Sequence, residues 1–309
     1  MNICKLVAFI LVFDMLGCAL AYSPIIDGAL AELEVDVVDD RGESVADAEV
    51  AVVYYTSPEK VDVKRGKTDD RGCFRTTGRT IGEIHVLVSK AGHYDSHLQP
   101  RFRLNGIQEA TATRKWADVC VPVPVVLKRI LNPAELIVNG GDLQALRWPA
   151  TNVVLGFDLE LFDWCPPHGS GKHDDLQLKY DFWRSSENWF QVYAHLTMMM
   201  TNCVDGLYLV PVDDSSKLKH GYRADPSAEY RKRFDFVYDR KTGEVSQDIP
   251  MPRDQYMVFR TRTRTNETGQ VVSANYGFIF ENGEFGGDLF RFRVGINPQA
   301  NDPNLECAE

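Results

Sequence analysis

Runs in which apolar and polar residues alternate recur through the first half of the chain. Residues 33–37 and 84–88 alternate in this way, and a period of two is typical of a strand with one buried face. Asp- and Gly-rich segments at 39–42 and 68–72 separate such runs and predict turns. Short strands at this spacing, joined by turns, predict an all-β sandwich.

The second half of the chain carries a similar pattern. Residues 155–161 and 176–182 alternate, and a turn-forming segment at 266–269 joins two further apolar runs, which predicts a hairpin. Pro133 and Gly140 mark a boundary segment between the two halves. We therefore predict an all-β fold of two antiparallel β-sandwich domains after an N-terminal export signal. The predicted ranges are 1–21 for the signal, 22–130 for the first domain and 131–309 for the second.

The N-terminus has the features of an export signal. Lys5 precedes an apolar run at 6–13 that is too short to span a bilayer, and residues 19–21 form a cleavage site. A second interpretation stays open, because residues 15–18 resemble a bacterial lipoprotein signal in which Cys18 would carry the lipid. Both routes predict an extracytoplasmic protein: secreted, periplasmic, or a lipoprotein that meets the membrane only through its lipid anchor.

Three segments of the first domain, in order along the chain, carry a resemblance to a known family. They are residues 35–50, 68–74 and 86–94. Together they resemble carboxypeptidase regulatory-like domains, and the resemblance covers roughly a third of the chain. It implies a transthyretin-like sandwich that serves as a structural or binding module, and it implies no peptidase chemistry.

Four segments of the second domain are similar to a group of uncharacterised exported bacterial proteins, in which a domain of this kind follows a sandwich. They are residues 156–160, 163–172, 273–277 and 297–306. This resemblance implies export and a two-domain organisation, and it implies no activity.

The balance of charge and the missing motifs narrow the range of functions that the sequence predicts. The chain of 309 residues has 44 acidic and 34 basic side chains, which gives a formal net charge of −10. This balance argues against nucleic acid as a partner, because phosphate groups attract a basic surface. The sequence has no Gly-x-Ser-x-Gly motif, no phosphate-binding loop and no dinucleotide fingerprint. We therefore predict a protein that is not an enzyme and needs no cofactor.

One stretch of the second domain nevertheless concentrates the residue types of a metal or acid–base site. The candidate metal ligands are Asp158, Asp163, His168, His173 and Asp174. Carboxylate and imidazole groups can hold a metal when loops bring them to one point. That interpretation would make the protein a metal-dependent hydrolase of envelope polymer. The alternative is a polar loop whose acids cap turns.

Arginine side chains suggest a different kind of site. One predicted strand carries three on one face, and a later strand carries two. They are Arg260, Arg262 and Arg264 on the first, and Arg291 and Arg293 on the second. If these strands are neighbours, the guanidinium groups form a stripe that can bind an anionic glycan or carboxylate. The alternative is ordinary cross-strand pairing with acids.

Aromatic residues of the second domain extend this glycan hypothesis, because sugars stack on aromatic rings. Trp164 is the binding candidate, in a group that also contains Trp148, Trp183, Trp189 and Tyr193. The alternative is packing of these rings in the core or at the edge of a sheet.

Export also changes how the cysteines are interpreted, since an oxidising compartment permits disulfides. Cys73 and Cys120 lie in the first predicted domain, and Cys165 and Cys203 lie in the second. These four are the disulfide candidates. Spacing does not fix connectivity, so buried free thiols remain the alternative.

Taken together, these patterns predict a non-enzymatic exported or surface-anchored protein with a binding or structural role in the cell envelope. Its expected partner is an envelope glycan or another surface protein. The metal-dependent hydrolase and a glycan-binding module are the two alternatives.

Overall fold

The computed structural model describes most of the chain after the predicted signal. The described residues are 22–100, 106–116, 122–140, 144–188, 191–212, 216–240, 254–280 and 289–307. Strands make up most of the regular structure, so the predicted all-β class is confirmed. Cys18, Cys120 and the predicted signal lie outside the described residues. Neither helix in the described part of the chain has the length and hydropathy needed to cross a bilayer.

The chain forms two compact units, which contain residues 1–129 with 215–217 and residues 130–214 with 218–309. The elements of unit 1 are α1 (Pro24–Asp27), β1 (Ala29–Asp39), β2 (Glu49–Ser57), β3 (Lys60–Lys67), β4 (Cys73–Thr80), β5 (Ile84–Ser89), β6 (Ser96–Leu98), α2 (Gly106–Thr113) and β7 (Val123–Leu127). They form a three-stranded sheet, β4-β1-β7, and a four-stranded sheet, β3-β2-β5-β6. The pairing of β1 with β7 is parallel, which departs from the predicted antiparallel pattern.

The alternating residues of unit 1 bring its two sheets together. Strand β1 buries Leu33 and Val35, while β2 buries Val52 and Tyr54, and all four belong to one apolar core. The predicted turns start at Asp39 and Asp69, whose carboxylates accept hydrogen bonds from backbone N–H groups two and four residues later. Each turn then places a glycine at φ 79°, a conformation that side chains with a Cβ rarely adopt.

The elements of unit 2 are β8 (Ile137–Gly140), β9 (Leu146–Arg147), β10 (Val154–Asp158), β11 (Asp163–Trp164), β12 (Leu176–Arg184), β13 (Val192–Met200), β14 (Gly206–Pro211), β15 (Arg233–Arg240), β16 (Gln255–Thr265), β17 (Val271–Phe280), β18 (Leu289–Phe290) and β19 (Arg293–Ile296). Two sheets have five strands each, in the orders β11-β10-β12-β13-β15 and β14-β16-β17-β19-β8. Strands β9 and β18 pair separately.

The two five-stranded sheets of unit 2 differ in how many of their faces are covered. Leu178 of β12 and Met198 of β13 share a core with Met257 and Phe259 of β16. Each of the two sheets therefore buries one face against the other. The β16–β17 sheet is also covered on its second face, where Tyr256, Val258, Phe278 and others pack with Ala224 and Leu305. The second face of the β12–β13–β15 sheet carries exposed and half-buried residues instead.

Candidate functional site

The candidate metal ligand Asp158 lies at the end of β10 and is completely buried. Its Oδ1 accepts hydrogen bonds from the backbone N–H groups of Glu160 (2.9 Å) and Leu161 (3.0 Å). Its Oδ2 accepts from those of Lys172 (2.8 Å) and His173 (3.0 Å). Burial raises the pKa of Asp158, but the four backbone donors outweigh it and leave the pKa below its ordinary value. Asp158 therefore holds two loop segments in place.

The other candidate ligands are also engaged in the loop or lie at its surface. Asp163 accepts hydrogen bonds from the backbone of Trp164 (2.8 Å) and from both the backbone and the hydroxyl of Ser170 (2.8 and 2.6 Å). His168, His173 and Asp174 are exposed. Within the described residues, no three of the five candidates converge as metal donors would. Backbone donors already occupy the buried carboxylate oxygens, so these residues do not assemble the predicted metal site in the described part of the chain.

Arg262 lies at the centre of a buried ion-pair network beside this loop. Its Nε and Nη2 donate to the two carboxylate oxygens of Asp175 at 3.0 and 2.9 Å, and Nη1 donates to Glu160. Burial lowers the pKa of Arg262, but these carboxylates outweigh it and raise the pKa above its ordinary value. A bidentate pair of this kind fixes the geometry of both side chains. Arg262 therefore has a structural role as the ion-pair partner of Asp175 and Glu160.

Asp205 completes the network, and nothing in the sequence analysis singled it out. Strand β16 is irregular between Thr261 and Arg264, and Arg262 takes a positive φ of 55° there. Asp205 accepts hydrogen bonds from the backbone N–H groups of Arg262 and Thr263, both at 3.0 Å, and so supports the bulge. Burial raises the pKa of Asp205. A bulge depends on contacts distant in sequence, so no local pattern around Asp205 indicated this role.

The predicted arginine stripe does not form, because β17 lies between β16 and β19. The guanidinium of Arg260 instead lies 4.4 Å from the ring centroid of Tyr230 and donates to the carbonyl of Val204 at 2.8 Å. Arg264 is exposed, and Arg291 and Arg293 are half-buried on the far side of the intervening strand.

Trp164 is a core residue and offers no ring surface for stacking. Only 4% of its surface is exposed, and its ring centroid lies 5.2 Å from that of Phe157. Its Nε1 donates to the carbonyl of Arg147 at 3.2 Å. Strand β11 turns the ring into the core, so the predicted ligand-binding role of Trp164 has no accessible ring surface here.

The described cysteine candidates do not form disulfides. Cys73, Cys165 and Cys203 carry free thiols, so the candidate pair of Cys165 with Cys203 is not formed. Burial and the surrounding acids raise the pKa of the Cys165 thiol to about 11. The thiol of Cys73 donates to Asp36 at 2.7 Å, and this bond raises its pKa to about 11 as well. Both groups are therefore poor thiolate nucleophiles at neutral pH.

An accessible group of polar and aromatic side chains lies on the uncovered face of β12, β13 and β15, which we call the outer face. Trp183 and Tyr193 occupy opposite positions on β12 and β13, and 56% and 36% of their respective surfaces are exposed. Asp181 and His195 form the next cross-strand pair. The outer face residues are Lys179, Asp181, Trp183, Tyr193, His195, Thr197, Arg233 and Asp235.

The polar members of the outer face form a row across three strands, in which hydrogen bonds join β13 to β15 and a longer ion contact joins β12 to β13. Lys179 Nζ lies 2.8 Å from Asp181 Oδ2. His195 Nε2 lies 3.0 Å from Asp235 Oδ1, and its Nδ1 lies 3.9 Å from Asp181 Oδ2. Arg233 makes a two-pronged contact with Asp235 at 2.6 and 2.7 Å. The Arg233 bonds contribute most to lowering the pKa of Asp235, which stays ionised at neutral pH.

Comparisons with known proteins do not identify a family. No protein-family model matches the chain, and no curated protein matches it. Two dioxygenase structures have partial similarity. One is 3-chlorocatechol 1,2-dioxygenase from Rhodococcus opacus 1CP, with 16% identity, a TM-score of 0.24, and coverage of 33% of this chain and 61% of that one. The other is catechol 1,2-dioxygenase from Acinetobacter sp. ADP1, with 16% identity, a TM-score of 0.26, and coverage of 40% and 58%.

A third solved structure covers more of the chain. It is a candidate carbohydrate-binding protein from Bacteroides uniformis ATCC 8492, with 8% identity, a TM-score of 0.17, and coverage of 86% of this chain and 97% of that one. The chain spans less than two thirds of the length of the dioxygenases. Similarity at these levels leaves the function to be argued from the residues themselves.

Proposed function

We propose that the protein is an exported, non-enzymatic binding protein of the cell envelope, and that unit 2 holds a saccharide on its outer face. The observation that carries this proposal is the exposed pair Trp183 and Tyr193 beside a row of fixed polar side chains. Large aromatic side chains expose much of their surface less often than polar ones do, and an exposed group of them marks an interaction site.

The outer face offers both kinds of contact that a saccharide needs. The C–H face of a pyranose ring stacks on an aromatic ring, and Trp183 and Tyr193 supply two such rings on adjacent strands. Sugar hydroxyl groups both donate and accept hydrogen bonds, and the partly exposed Lys179 and Arg233 supply donors while Asp235 supplies an acceptor. Mutual bonds within the row hold these groups in position before a ligand arrives.

The charges on the outer face favour a neutral saccharide over an anionic one. Lys179 is paired with Asp181, and Arg233 is paired with Asp235. Each cation is thereby neutralised by a carboxylate, so the face has no excess positive charge to attract an acidic sugar.

The proposed location rests on the N-terminal sequence, where the apolar run at 6–13 and the cleavage site at 19–21 are typical of export. Fractionation of cells that express the full chain, followed by intact-mass measurement, tests it. A mature protein that begins at Tyr22, or at a lipid-modified Cys18, supports export. An intact N-terminus in the cytoplasm contradicts it.

An array of neutral and acidic envelope saccharides tests the binding proposal, with calorimetry on the best ligand. We expect Trp183→Ala to weaken binding at least tenfold, because aromatic anchors carry a large share of binding energy. Tyr193→Ala should weaken binding less, since less of its ring is exposed. Val272→Ala, which removes an exposed apolar group from β17, is the matched control and should leave binding unchanged.

Two results would contradict this proposal. The first is the absence of binding to every saccharide by a folded wild-type protein. The second is equal affinity of the wild type and Trp183→Ala for a ligand that does bind. Because both aromatic side chains are exposed, neither substitution should lower the melting temperature, which separates loss of binding from loss of folding.

A further inference from the structure

Unit 1 contains a cavity of about 610 Å³ on the outer side of its four-stranded sheet. Residues from β2, β3, β5 and β6 line it, together with Lys217. This volume lies within the range of cavities that bind small molecules. The cavity belongs to the other unit from the outer face described above, so an inference about it is independent of saccharide binding.

The floor of the cavity is apolar and open to solvent. Leu87 of β5 lies opposite Ala51 of β2 in the strand register, and 44% of the Leu87 surface is exposed. Val50 and Val88 also line the cavity, although their side chains belong to the core. An exposed leucine at the base of a concave surface gains from contact with an apolar ligand.

Two cations lie on one edge of the cavity. Arg65 and Lys67 lie two residues apart on β3, so their side chains leave the same face of the strand. Both are exposed, and within the described part of the chain neither side chain forms a hydrogen bond or an ion pair. Arg65 also lies opposite Ala51, next to the apolar floor.

The remaining charges around the cavity leave it with a positive excess. Lys217 lies 3.4 Å from Asp95 and neutralises it. Glu49, the other carboxylate in the lining, lies opposite Lys67 in the strand register, so the lining has two carboxylates against three cations. His97 adds an imidazole at the far edge. A positive cavity is unexpected in a chain with a formal net charge of −10, and it favours an anionic ligand.

We propose that this cavity binds a small organic anion, with the apolar body of the ligand on Leu87 and Ala51 and its anionic group on Arg65 and Lys67. The ligand class is a carboxylate or sulfonate attached to an aromatic or aliphatic body. Arg65 provides a planar set of donors that matches an oxyanion, and Lys67 adds a second positive charge.

Fluorescence titration with anilinonaphthalene sulfonate tests the proposal, since this probe joins an apolar body to one anion. We expect saturable binding of one probe in unit 1 and at least tenfold weaker binding in the double variant Arg65→Gln/Lys67→Gln. The double variant Lys60→Gln/Lys64→Gln removes the same charge from the same strand outside the cavity lining. It should keep wild-type affinity.

A second probe separates the apolar contribution from the charge contribution. Phenylnaphthylamine has the same apolar body without the sulfonate, and we expect it to bind more weakly and to be insensitive to Arg65→Gln/Lys67→Gln. Leu87→Gln should weaken both probes, because it alters the floor that they share. Melting curves verify that each variant folds, which is expected because the changed side chains are exposed, apart from the half-buried Lys64 in its surface ion pair with Asp62.

Equal affinity for anilinonaphthalene sulfonate in the two double variants would overturn the proposal. Binding that does not saturate, or that disappears in Trp183→Ala instead, would also overturn it, because the probe would then lie elsewhere. Added salt should weaken wild-type binding of the sulfonate probe, and binding that is independent of salt would contradict the role of the two cations.

Discussion

Unit 2 contains two groups of Asp and Arg side chains that differ in what surrounds them. In the network around Arg262, Asp158, Asp175 and Asp205 are all buried and accept bonds from backbone N–H groups or from the guanidinium. On the outer face, the side chains of the row pair with one another at the protein surface. The three carboxylates of the first group are inaccessible to a ligand, whereas the side chains of the second group are all partly open to solvent. Residue composition alone does not distinguish a binding site from a structural network.

The largest effect should follow from removing the centre of the buried network. Arg262→Met takes away the partner of Asp175 and Glu160 and leaves the buried Asp175 carboxylate without its cation, so we expect a loss of about 3 kcal/mol in the free energy of unfolding. Urea denaturation measures it. Arg264→Met, on the same strand but exposed, should change the free energy by about 0.5 kcal/mol or less. A small change in Arg262→Met would show that the network is not structural.

A smaller loss is expected when one acceptor of the buried group is changed. In Asp158→Asn an amide NH₂ replaces one carboxylate oxygen, so two of the four backbone donors lose their acceptor. Two unsatisfied N–H groups in a buried position should cost about 2 kcal/mol. Asp174→Asn is the control, because Asp174 is exposed in the same loop. Equal stability of the two variants would contradict the structural role of Asp158.

The alternation of apolar and polar residues was enough to predict the all-β class, because it is a local property of each strand. It also contained a signal for the outer face that the sequence analysis did not use. Trp183 follows Lys179 and Asp181 at a period of two, in the polar phase of β12, and Tyr193 precedes His195 in the same way on β13. An aromatic residue in the polar phase of a strand is expected to point away from the core.

Other features could not be predicted from local pattern. The arginine stripe required β16 and β19 to be neighbours, and the order of strands in a sheet is set by the whole fold. The burial of Asp158 depends on donors from residues 172 and 173, which the loop brings back to the end of β10. Contacts between residues that are distant in sequence therefore decide which polar side chains become inaccessible.

The buried group should also respond to pH in two opposite directions. Burial raises the pKa of Asp205, so folding favours its protonated form. Stability from Asp205 is therefore gained as pH falls through its folded pKa and is fully present below the ordinary value of 3.8. Asp158 has a lowered pKa, so its contribution is present above 3.8 and is lost as pH falls further, through its folded pKa.

Urea denaturation between pH 7 and pH 4 can measure the Asp205 contribution. The stability of the wild type relative to Asp205→Asn should increase as the pH falls. The stability of the wild type relative to Asp158→Asn should stay nearly constant over the same interval, since Asp158 titrates below it. If the stability of the wild type changed with pH in the same way relative to Asp205→Asn and relative to Asp158→Asn, the two carboxylates would share one environment. That result would contradict the structure.

The smallest change in stability is expected on the outer face, and there it should be accompanied by a change in binding. Asp235→Asn disrupts the contacts with Arg233 and His195, but exposed ion pairs contribute about 0–1 kcal/mol, so the free energy of unfolding should change by no more than that. Saccharide affinity should fall about tenfold, because His195 and Arg233 lose the group that positions them. Lys179→Met, at the other end of the row, gives a second measurement with the same expectation. A large loss of stability with unchanged affinity would make the row a structural network like the one around Arg262, and the distinction between accessible and buried acids would fail.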